Sequence, residues 1–256
     1  MSDDPYREFA DVYDVYLGAG PDDLPLYLDY ARQLGGPILE VGAGAGRLTL
    51  PLARAGAAVV AVDLSGAMLA RLGARLAQEP LEVRRRVRVI RADASRLPLR
   101  DRYRLVLVPS PTLTCLLTVE AQRRALANIA ALLTEDGVAL VDVFVPFTRL
   151  AHCPPEPLLH RDTLHGDGRR VRAWIGYALD PATQIERRRH IVEATAPDGH
   201  VDRREFGTAR RWITRDEMTR LAAAAGLAVE RATTGYGDVP ADARAEQVLY
   251  TLRPAR

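Results

Sequence analysis

The stretch from Pro37 to Asp63, PILEVGAGAGRLTLPLARAGAAVVAVD, decides the fold of this chain. Residues 38–41 predict a buried strand, residues 42–46 a glycine-rich turn, and residues 47–55 a helix. Residues 59–62 predict a second strand that ends at Asp63. A strand, a turn, a helix and a second strand form a parallel crossover unit, so the chain is predicted to be an α/β protein.

This crossover unit has the parts of a nucleoside-binding site. Glycines allow a tight turn and a close approach of the backbone to a ligand. The start of the helix presents N–H groups and a partial positive charge. Asp63, at the tip of the second predicted strand, can accept two hydrogen bonds from a ribose diol. The stretch therefore predicts that a nucleoside binds at the glycine turn.

The spacing of the glycines indicates which nucleoside is bound. The dinucleotide fingerprint G-x-G-x-x-G would need its third glycine at position 47, where the chain has Arg47. Glu40 lies two residues before the first glycine, and a buried carboxylate there would repel a pyrophosphate but suit a ligand with a cationic end. A nicotinamide oxidoreductase is therefore disfavoured, although it stays an alternative.

The set of Glu40, the glycine turn and Asp63 resembles the class I S-adenosylmethionine-dependent methyltransferases. In that family an apolar floor for the adenine follows the ribose acid, and an acid after the third strand reads the adenine edge with the next backbone N–H. Arg47 would meet the cofactor carboxylate. The resemblance implies these cofactor contacts: Tyr13, Glu40, Gly42, Ala43, Gly44, Gly46, Arg47, Asp63, Leu64, Met68, Asp93, Ala94 and Pro109. Packing of Met68 in the core, an Asx cap at Asp93 and a surface role for Arg47 are the alternatives.

Strands and helices alternate along most of the chain. Further apolar runs at residues 87–90, 105–108, 137–145, 227–233 and 247–253 predict the remaining strands of one sheet. Together with the resemblance, they predict a Rossmann-like, seven-stranded, mostly parallel sheet with helices on both faces.

An insertion is predicted before the last crossover helix. Residues 154–157 (PPEP) predict an ordered loop, and residues 169–179, 184–195 and 201–213 predict an antiparallel three-stranded sheet. A sheet with one apolar face either covers the acceptor pocket or pairs with a second subunit, which leaves a homodimer open. Thr214 and Glu217 then form a capping box at the start of the next helix.

Four regions follow from these elements. They are an N-terminal helical lid at residues 1–36, the cofactor-binding core at residues 37–146, the inserted sheet at residues 147–213, and a C-terminal helix with two strands at residues 214–256. Helices are predicted at residues 9–16 and 24–34. The first resembles the N-terminal helix of sugar-amine N,N-dimethyltransferases of antibiotic pathways, where a pair like Tyr13-Asp14 lies near the cofactor. Plain amphipathic packing of its tyrosines is the alternative.

The acceptor side carries weaker signals. After the fourth predicted strand the chain has Pro109-Ser110-Pro111-Thr112 in place of Asn/Asp-Pro-Pro-Tyr/Phe, which disfavours methylation of DNA, glutamine or rRNA bases. The residues predicted to contact the acceptor are Tyr6, Tyr16, Ser110, Thr112 and Tyr236. Loop capping is the alternative for the hydroxyls. All five histidines fall in the insertion without metal-ligand spacing, and no catalytic residue is assigned.

Composition agrees with one cytoplasmic enzyme. The chain has 256 residues, a net charge of +2, and two cysteines without metal spacing, so no metal is expected. No apolar run suits a membrane span, and the acidic N-terminus lacks a signal-peptide core. The arginine runs predict solvated faces, so no nucleic-acid partner is expected.

These patterns predict a methyltransferase. It would move a methyl group from S-adenosylmethionine, leaving S-adenosylhomocysteine, to a nitrogen or oxygen of a small molecule, as in the biosynthesis of natural products. The alternatives are a methyltransferase that acts on peptide amino termini, and a cyclase or binding protein on the same scaffold that transfers no methyl group.

Overall fold

The computed structural model describes residues 4, 6–8, 10, 23–110 and 112–255. Its strands are β1 Ile38–Val41, β2 Val59–Asp63, β3 Val87–Arg91, β4 Tyr103–Val108, β5 Leu133–Phe144, β6 Leu158–Leu164, β7 Arg170–Asp180, β8 Ile185–Thr195, β9 Val201–Arg211, β10 Leu227–Thr234 and β11 Gln247–Pro254. Its helices are α1 Leu24–Leu34, α2 Thr49–Arg54, α3 Gly66–Leu76, α4 Leu81–Arg84, α5 Val119–Leu132, α6 Phe147–Ala151 and α7 Arg215–Ala224. No helix in these ranges is long and apolar enough to cross a membrane.

The main sheet has seven strands in the order β10-β11-β5-β4-β1-β2-β3. Five neighbouring strands, β5, β4, β1, β2 and β3, are mutually parallel, whereas β11 runs antiparallel to both β5 and β10. This confirms the predicted seven-stranded, mostly parallel sheet.

Helices cover both faces of this sheet. On β4, Val106 and Val108 belong to the cluster that contains residues of α5 and α7, such as Leu126 and Met218. The intervening Leu105 and Leu107 pack in a second cluster with Tyr27 of α1 and with α2. A strand segment that is buried on both faces is apolar at every position, which explains the apolar run at residues 105–108 of β4.

The inserted sheet is antiparallel, but it has four strands, β6-β7-β8-β9, and not the three that were predicted. The additional strand is β6, which pairs with β7. Its residues alternate poorly between apolar and polar types, and Leu158, Leu159 and Leu164 are exposed. An edge strand with little burial carries no clear period-two pattern, so the sequence did not reveal it.

Helix termini follow the predicted capping residues with small differences. α2 begins at Thr49, two residues later than predicted, because residues 44–48 still form turns. The Thr214 hydroxyl accepts a hydrogen bond from the Glu217 N–H at 3.3 Å. The Glu217 carboxylate, however, binds Arg211 and Gln184. Of the helix predicted at residues 9–16, all but Ala10 lies outside the described residues.

Candidate functional site

The glycine turn lies at the carboxyl end of β1, where the chain crosses toward α2. Gly42 and Ala43 donate their N–H groups to the Val62 carbonyl of β2 at 2.8 and 3.0 Å. Gly42, Gly44 and Gly46 all have positive φ, at 84°, 55° and 85°. Residues with a side chain rarely adopt these angles, so the turn requires glycine.

Gly42 is also required because of its packing. A Cβ added there would lie 2.2 Å from Thr112 Oγ1, and that hydroxyl is fixed by a 2.8 Å hydrogen bond to the Pro109 carbonyl. The loop after β4 therefore packs directly on the glycine turn. No side chain fits between them.

Asp63 closes the turn from the neighbouring strand. Its carboxylate accepts hydrogen bonds from the Gly44 N–H at 2.7 Å and from the Ser65 N–H at 2.8 Å. Burial raises the pKa of this carboxyl group, although both backbone N–H groups oppose the shift. Each carboxylate oxygen has a second lone pair, so Asp63 can still accept hydrogen bonds from a diol.

Asp93 follows β3 and caps a short 3₁₀ turn at Ala94–Arg96. Its carboxylate accepts a hydrogen bond from the Ser95 N–H at 2.7 Å. This is the cap that was the alternative interpretation of Asp93. Asp93 nevertheless lines the same cavity as Asp63, so it also faces any ligand there.

Glu40 lies in the core of β1 with 1% of its surface exposed. Its carboxylate accepts a hydrogen bond from the Thr49 hydroxyl at 2.6 Å. Burial raises its pKa to about 7, and the Thr49 hydrogen bond and Arg47 oppose this shift. The side chain does not line the cavity, so it sits beneath the turn instead of at its surface.

Arg47 forms an ion pair with Asp23, whose side chain is completely buried. The pair is bidentate, with Arg47 Nη2 2.7 Å from Asp23 Oδ2. Arg47 thus ties the residue before α1 to the glycine turn. It does not line the cavity.

A cavity of about 350 Å³ opens above the turn. Its walls come from three regions: the ends of the core strands, the N-terminal segment, and the inserted sheet. Ten predicted site residues line it: Tyr6, Gly42, Gly44, Asp63, Leu64, Met68, Asp93, Ala94, Ser110 and Thr112. The others described, Glu40, Ala43, Gly46, Arg47, Pro109 and Tyr236, do not line it, and Tyr13 and Tyr16 lie outside the described residues.

Tyr236 belongs to a separate buried network below β5. Its hydroxyl donates to Asp142 at 2.7 Å, and Gln247 contacts both groups. Burial raises the pKa of Asp142 to about 6. Tyr27 of α1 packs against the Tyr236 ring at 6.3 Å. This network supports the core and is not part of the cavity wall.

The N-terminal segment covers one side of the cavity. Asp4 accepts hydrogen bonds from the Ser65 hydroxyl and the Ala67 N–H at the start of α3. The Tyr6 hydroxyl donates to Cys115 Sγ at 2.7 Å, and Cys115 also lines the cavity. Burial raises the pKa of the Cys115 thiol, so the group is a neutral thiol at physiological pH.

The sequence did not identify the wall that the inserted sheet contributes. Arg188 and His190 of β8, with Thr208 and Arg210 of β9, line the cavity opposite the glycine turn. Residues 188 and 190 lie on the same face of β8 as the apolar Val192. The period-two spacing of these residues is the one sequence signal that could have placed Arg188 and His190 on the same face of the strand.

His190 is a neutral imidazole in this wall. It has 2% of its surface exposed, its Nε2 lies 2.8 Å from Thr208 Oγ1, and its ring stacks on Phe206 at 4.8 Å. Burial lowers its pKa to about 4, and the Arg188 charge adds to the shift. Within the described ranges, no group of three or more metal-binding side chains occurs.

Known proteins match this chain in sequence and in structure. A family model described as a methyltransferase domain matches residues 38–137. A protein from Geobacillus sp. (strain WCH70), provisionally named a methyltransferase, is 25% identical over 255 residues, which cover 97% of this chain and 99% of the relative.

Solved structures extend the match to the whole chain. The CcbJ methyltransferase from Streptomyces caelestis is 26% identical, with a TM-score of 0.82 and complete coverage of both chains. CalS10 from Micromonospora echinaspora, an amino pentose methyltransferase solved with bound S-adenosylmethionine, has a TM-score of 0.74 at 22% identity and covers 94% of this chain and 96% of its own. The matched domain includes the glycine turn, Asp63 and Asp93. Residues 38–137 therefore form a methyltransferase domain of the class I S-adenosylmethionine-dependent type.

Proposed function

We propose that this enzyme transfers the methyl group of S-adenosylmethionine to a nitrogen or oxygen atom of a small-molecule acceptor. One observation carries the proposal: a single cavity is lined by the strand ends on one side and by the inserted sheet on the other. A methyl transferase needs both a nucleoside site and an acceptor site that meet at the methyl group.

The residues of the core half fit the cofactor. Gly42 and Gly44 both line the cavity at positive φ, so the bare backbone of the turn can approach a bound nucleoside closely. Asp63 would accept hydrogen bonds from the ribose diol, and Asp93 with the Ala94 N–H would meet the adenine edge. Leu64 and Met68 would form the apolar floor beneath it.

Three predicted contacts are better described as supports for this half. Glu40, Gly46 and Arg47 lie outside the cavity wall. Glu40 binds Thr49 and Arg47 binds Asp23, whereas Gly46 leaves no room for a Cβ beside Leu72. We propose that they hold the turn in shape and that the cavity-lining residues contact the cofactor directly.

The acceptor would bind between the N-terminal segment and the inserted sheet. The core therefore supplies the nucleoside site, while residues of the 1–36 and 147–213 regions supply the acceptor site. S-adenosylmethionine supplies an electrophilic methyl group when bound. The protein's own task is to place a nucleophile in line with that group and to exclude water. Tyr6, Ser110, Thr112 and Thr208 are the hydroxyl groups that could orient it.

A small molecule fits this cavity better than a macromolecule does. The cavity has a volume of about 350 Å³, and the N-terminal segment covers one side of it. CalS10, similar in fold, acts on an amino pentose, which favours an amine-bearing metabolite of comparable size. A peptide amino terminus would require a more open groove.

Titration calorimetry with S-adenosylmethionine, S-adenosylhomocysteine and NADH tests the cofactor. We expect the first two to bind and NADH not to bind. Binding of NADH alone would overturn the proposal. A panel of amines, phenols and alcohols with methyl-labelled cofactor then tests transfer. Cofactor binding with no labelled product from any of the three classes would favour a binding protein or cyclase.

A further inference from the structure

One buried carboxylate in the inserted sheet contacts three guanidinium groups. The Glu186 side chain is completely buried. Its oxygens accept hydrogen bonds from Arg210 Nε at 2.6 Å, Arg149 Nε at 3.1 Å and Arg188 Nε at 3.4 Å. We call these four residues the arginine cluster. One carboxylate balances one guanidinium, so the cluster has an excess of positive charge.

The arginine cluster is shielded from water, so its excess positive charge has a high free-energy cost. The three arginine side chains are only 8%, 18% and 20% exposed. Arg210 stacks over the Phe144 ring at 3.7 Å, and Arg149 lies 4.5 Å from the centre of the Tyr177 ring. Aromatic rings cover the guanidinium faces but do not neutralise the charge. Buried charges in proteins are normally paired, so the cluster is incomplete without an anion.

Two arginines of the arginine cluster face the site cavity. Arg188 and Arg210 both line it, on the wall opposite Gly42. The buried Nη2 of Arg210 has no hydrogen-bond partner in the part of the chain that the structure describes. Arg188 also lines an adjoining open groove on the inserted sheet, so a ligand could reach it from outside.

The acids that face the same cavity do not neutralise this wall. Asp63 and Asp93 lie on the core side, and backbone N–H groups of Gly44, Ser65 and Ser95 already bind their carboxylates. The neutral state of His190, next to Arg188, agrees with a positive potential on the inserted-sheet side. A ligand that reaches both walls would place its anionic part against β8 and β9.

We propose that Arg188 and Arg210 form an anion-binding subsite for the acceptor, which carries a carboxylate or phosphoryl group away from the methylated atom. Guanidinium groups bind both kinds of anion through paired N–H donors, which fixes orientation as well as position. The subsite orients the acceptor while the nucleophile approaches the methyl group. This inference rests on the proposed function, since it assigns the second half of the same cavity.

Calorimetric titration of the S-adenosylhomocysteine-saturated enzyme with sodium phosphate and with sodium malonate, at fixed ionic strength, tests the subsite. Both probes are divalent near pH 8 but differ in geometry. We expect the wild type to bind at least one of them. Arg188→Gln should weaken that binding by about tenfold, because it removes a charge-assisted contact.

Two further variants separate the subsite from general charge effects. Arg203→Gln is the matched control, since Arg203 is an exposed arginine of β9 that pairs with Glu193 outside the cavity. It should leave binding unchanged. Glu186→Gln removes the acid of the arginine cluster and should tighten binding. If Arg188→Gln does not fold, Arg188→Lys keeps the charge without the paired donors and should still weaken binding.

Tighter binding of phosphate would identify a phosphoryl group, and tighter binding of malonate a carboxylate. No binding of either probe, or equal weakening by Arg203→Gln, would overturn the subsite. Phosphate that binds the cofactor-free enzyme but is displaced by S-adenosylhomocysteine would assign these arginines to the cofactor carboxylate and overturn the acceptor role. Failure of S-adenosylhomocysteine itself to bind would instead overturn the proposed function.

Discussion

The two sheets of this molecule contribute to the cavity in different ways. The central strands of the core sheet are buried on both faces, and the sheet presents backbone groups, glycines and the short side chains of Asp63 and Asp93 at its strand ends. The inserted sheet has a small apolar cluster on one face, around Val171 and Phe206, and presents long charged side chains. A rigid backbone site suits one invariable ligand, whereas side chains on an added sheet can be adapted to a particular acceptor.

The largest effect should come from a substitution in the core half. Gly42→Ala would place a Cβ 2.2 Å from Thr112 Oγ1 at a positive φ. We expect S-adenosylhomocysteine affinity to fall by about 3 kcal/mol, roughly a hundredfold, because the turn must distort. Gly73→Ala in α3 is the control, since nothing lies within 4 Å of the added methyl group. Equal calorimetric affinities for both variants would show that the turn is not the cofactor site.

Glu40 should make the stability of the core depend on pH. Burial raises its pKa from 4.5 to about 7, so ionisation is harder in the folded state than in the unfolded state. The stability it contributes is therefore lost as pH rises from 4.5 through about 7. As the pH rises from about 5 to about 8, the free energy of unfolding of Glu40→Gln should therefore increase relative to that of the wild type by on the order of 3 kcal/mol.

Urea unfolding of the cofactor-free proteins at both pH values measures this difference. Asp142, whose pKa is raised to about 6 by burial, titrates in both proteins and cancels in the comparison. A constant difference between Glu40→Gln and wild type across the range would mean that Glu40 ionises normally.

These core features could be predicted from the sequence because they rest on local rules. Apolar runs identified the seven strands, and the glycine spacing located the turn that bends around Asp63. Which of those residues face the cavity could not be predicted. Arg47 and Glu40 lie next to the glycines in sequence, yet the buried partners Asp23 and Thr49 hold them away from the cavity wall.

The inserted sheet was harder to predict because its contacts are distant in sequence. Glu186 meets Arg149 and Arg210, residues that are brought together only when β8 and β9 pair and α6 packs beside them. Strand β6 has no apolar face of its own to signal a strand. The sequence therefore located the cavity wall at the strand ends and left the opposite wall unassigned.

Asp63→Asn should weaken cofactor binding without unfolding the core. The Gly44 and Ser65 N–H groups bind different oxygens of Asp63, so the amide keeps the acceptor for only one of them and loses the charge that a ribose diol would bind. We expect a loss of about 1–3 kcal/mol in S-adenosylhomocysteine affinity. Asp202→Asn, an exposed acid of β9, is the control. Unchanged affinity in Asp63→Asn would exclude Asp63 from the site.

In the inserted half, Thr208→Val should have a smaller effect. It removes the hydroxyl 2.8 Å from His190 Nε2 and should cost about 1 kcal/mol in unfolding free energy. Thr208→Ser restores the hydroxyl and should restore both stability and the wild-type nitrogen NMR shifts of the His190 ring. If valine left those shifts unaltered, the His190–Thr208 hydrogen bond would not exist in solution.

The smallest effect should come from the ion pairs on the outer face of the inserted sheet. Arg189 and Glu205 form a bidentate pair at 2.6 and 3.0 Å, but both side chains are largely exposed. Water and salt screen such pairs, so Arg189→Gln and Glu205→Gln should leave the melting temperature unchanged within error. The change in melting temperature of the double variant should equal the sum of the changes in the two single variants, at low and at high salt. A salt-dependent difference between the double variant and this sum would instead mean that surface ion pairs stabilise the inserted sheet. The two sheets would then differ in what stabilises them as well as in what they contribute to the cavity.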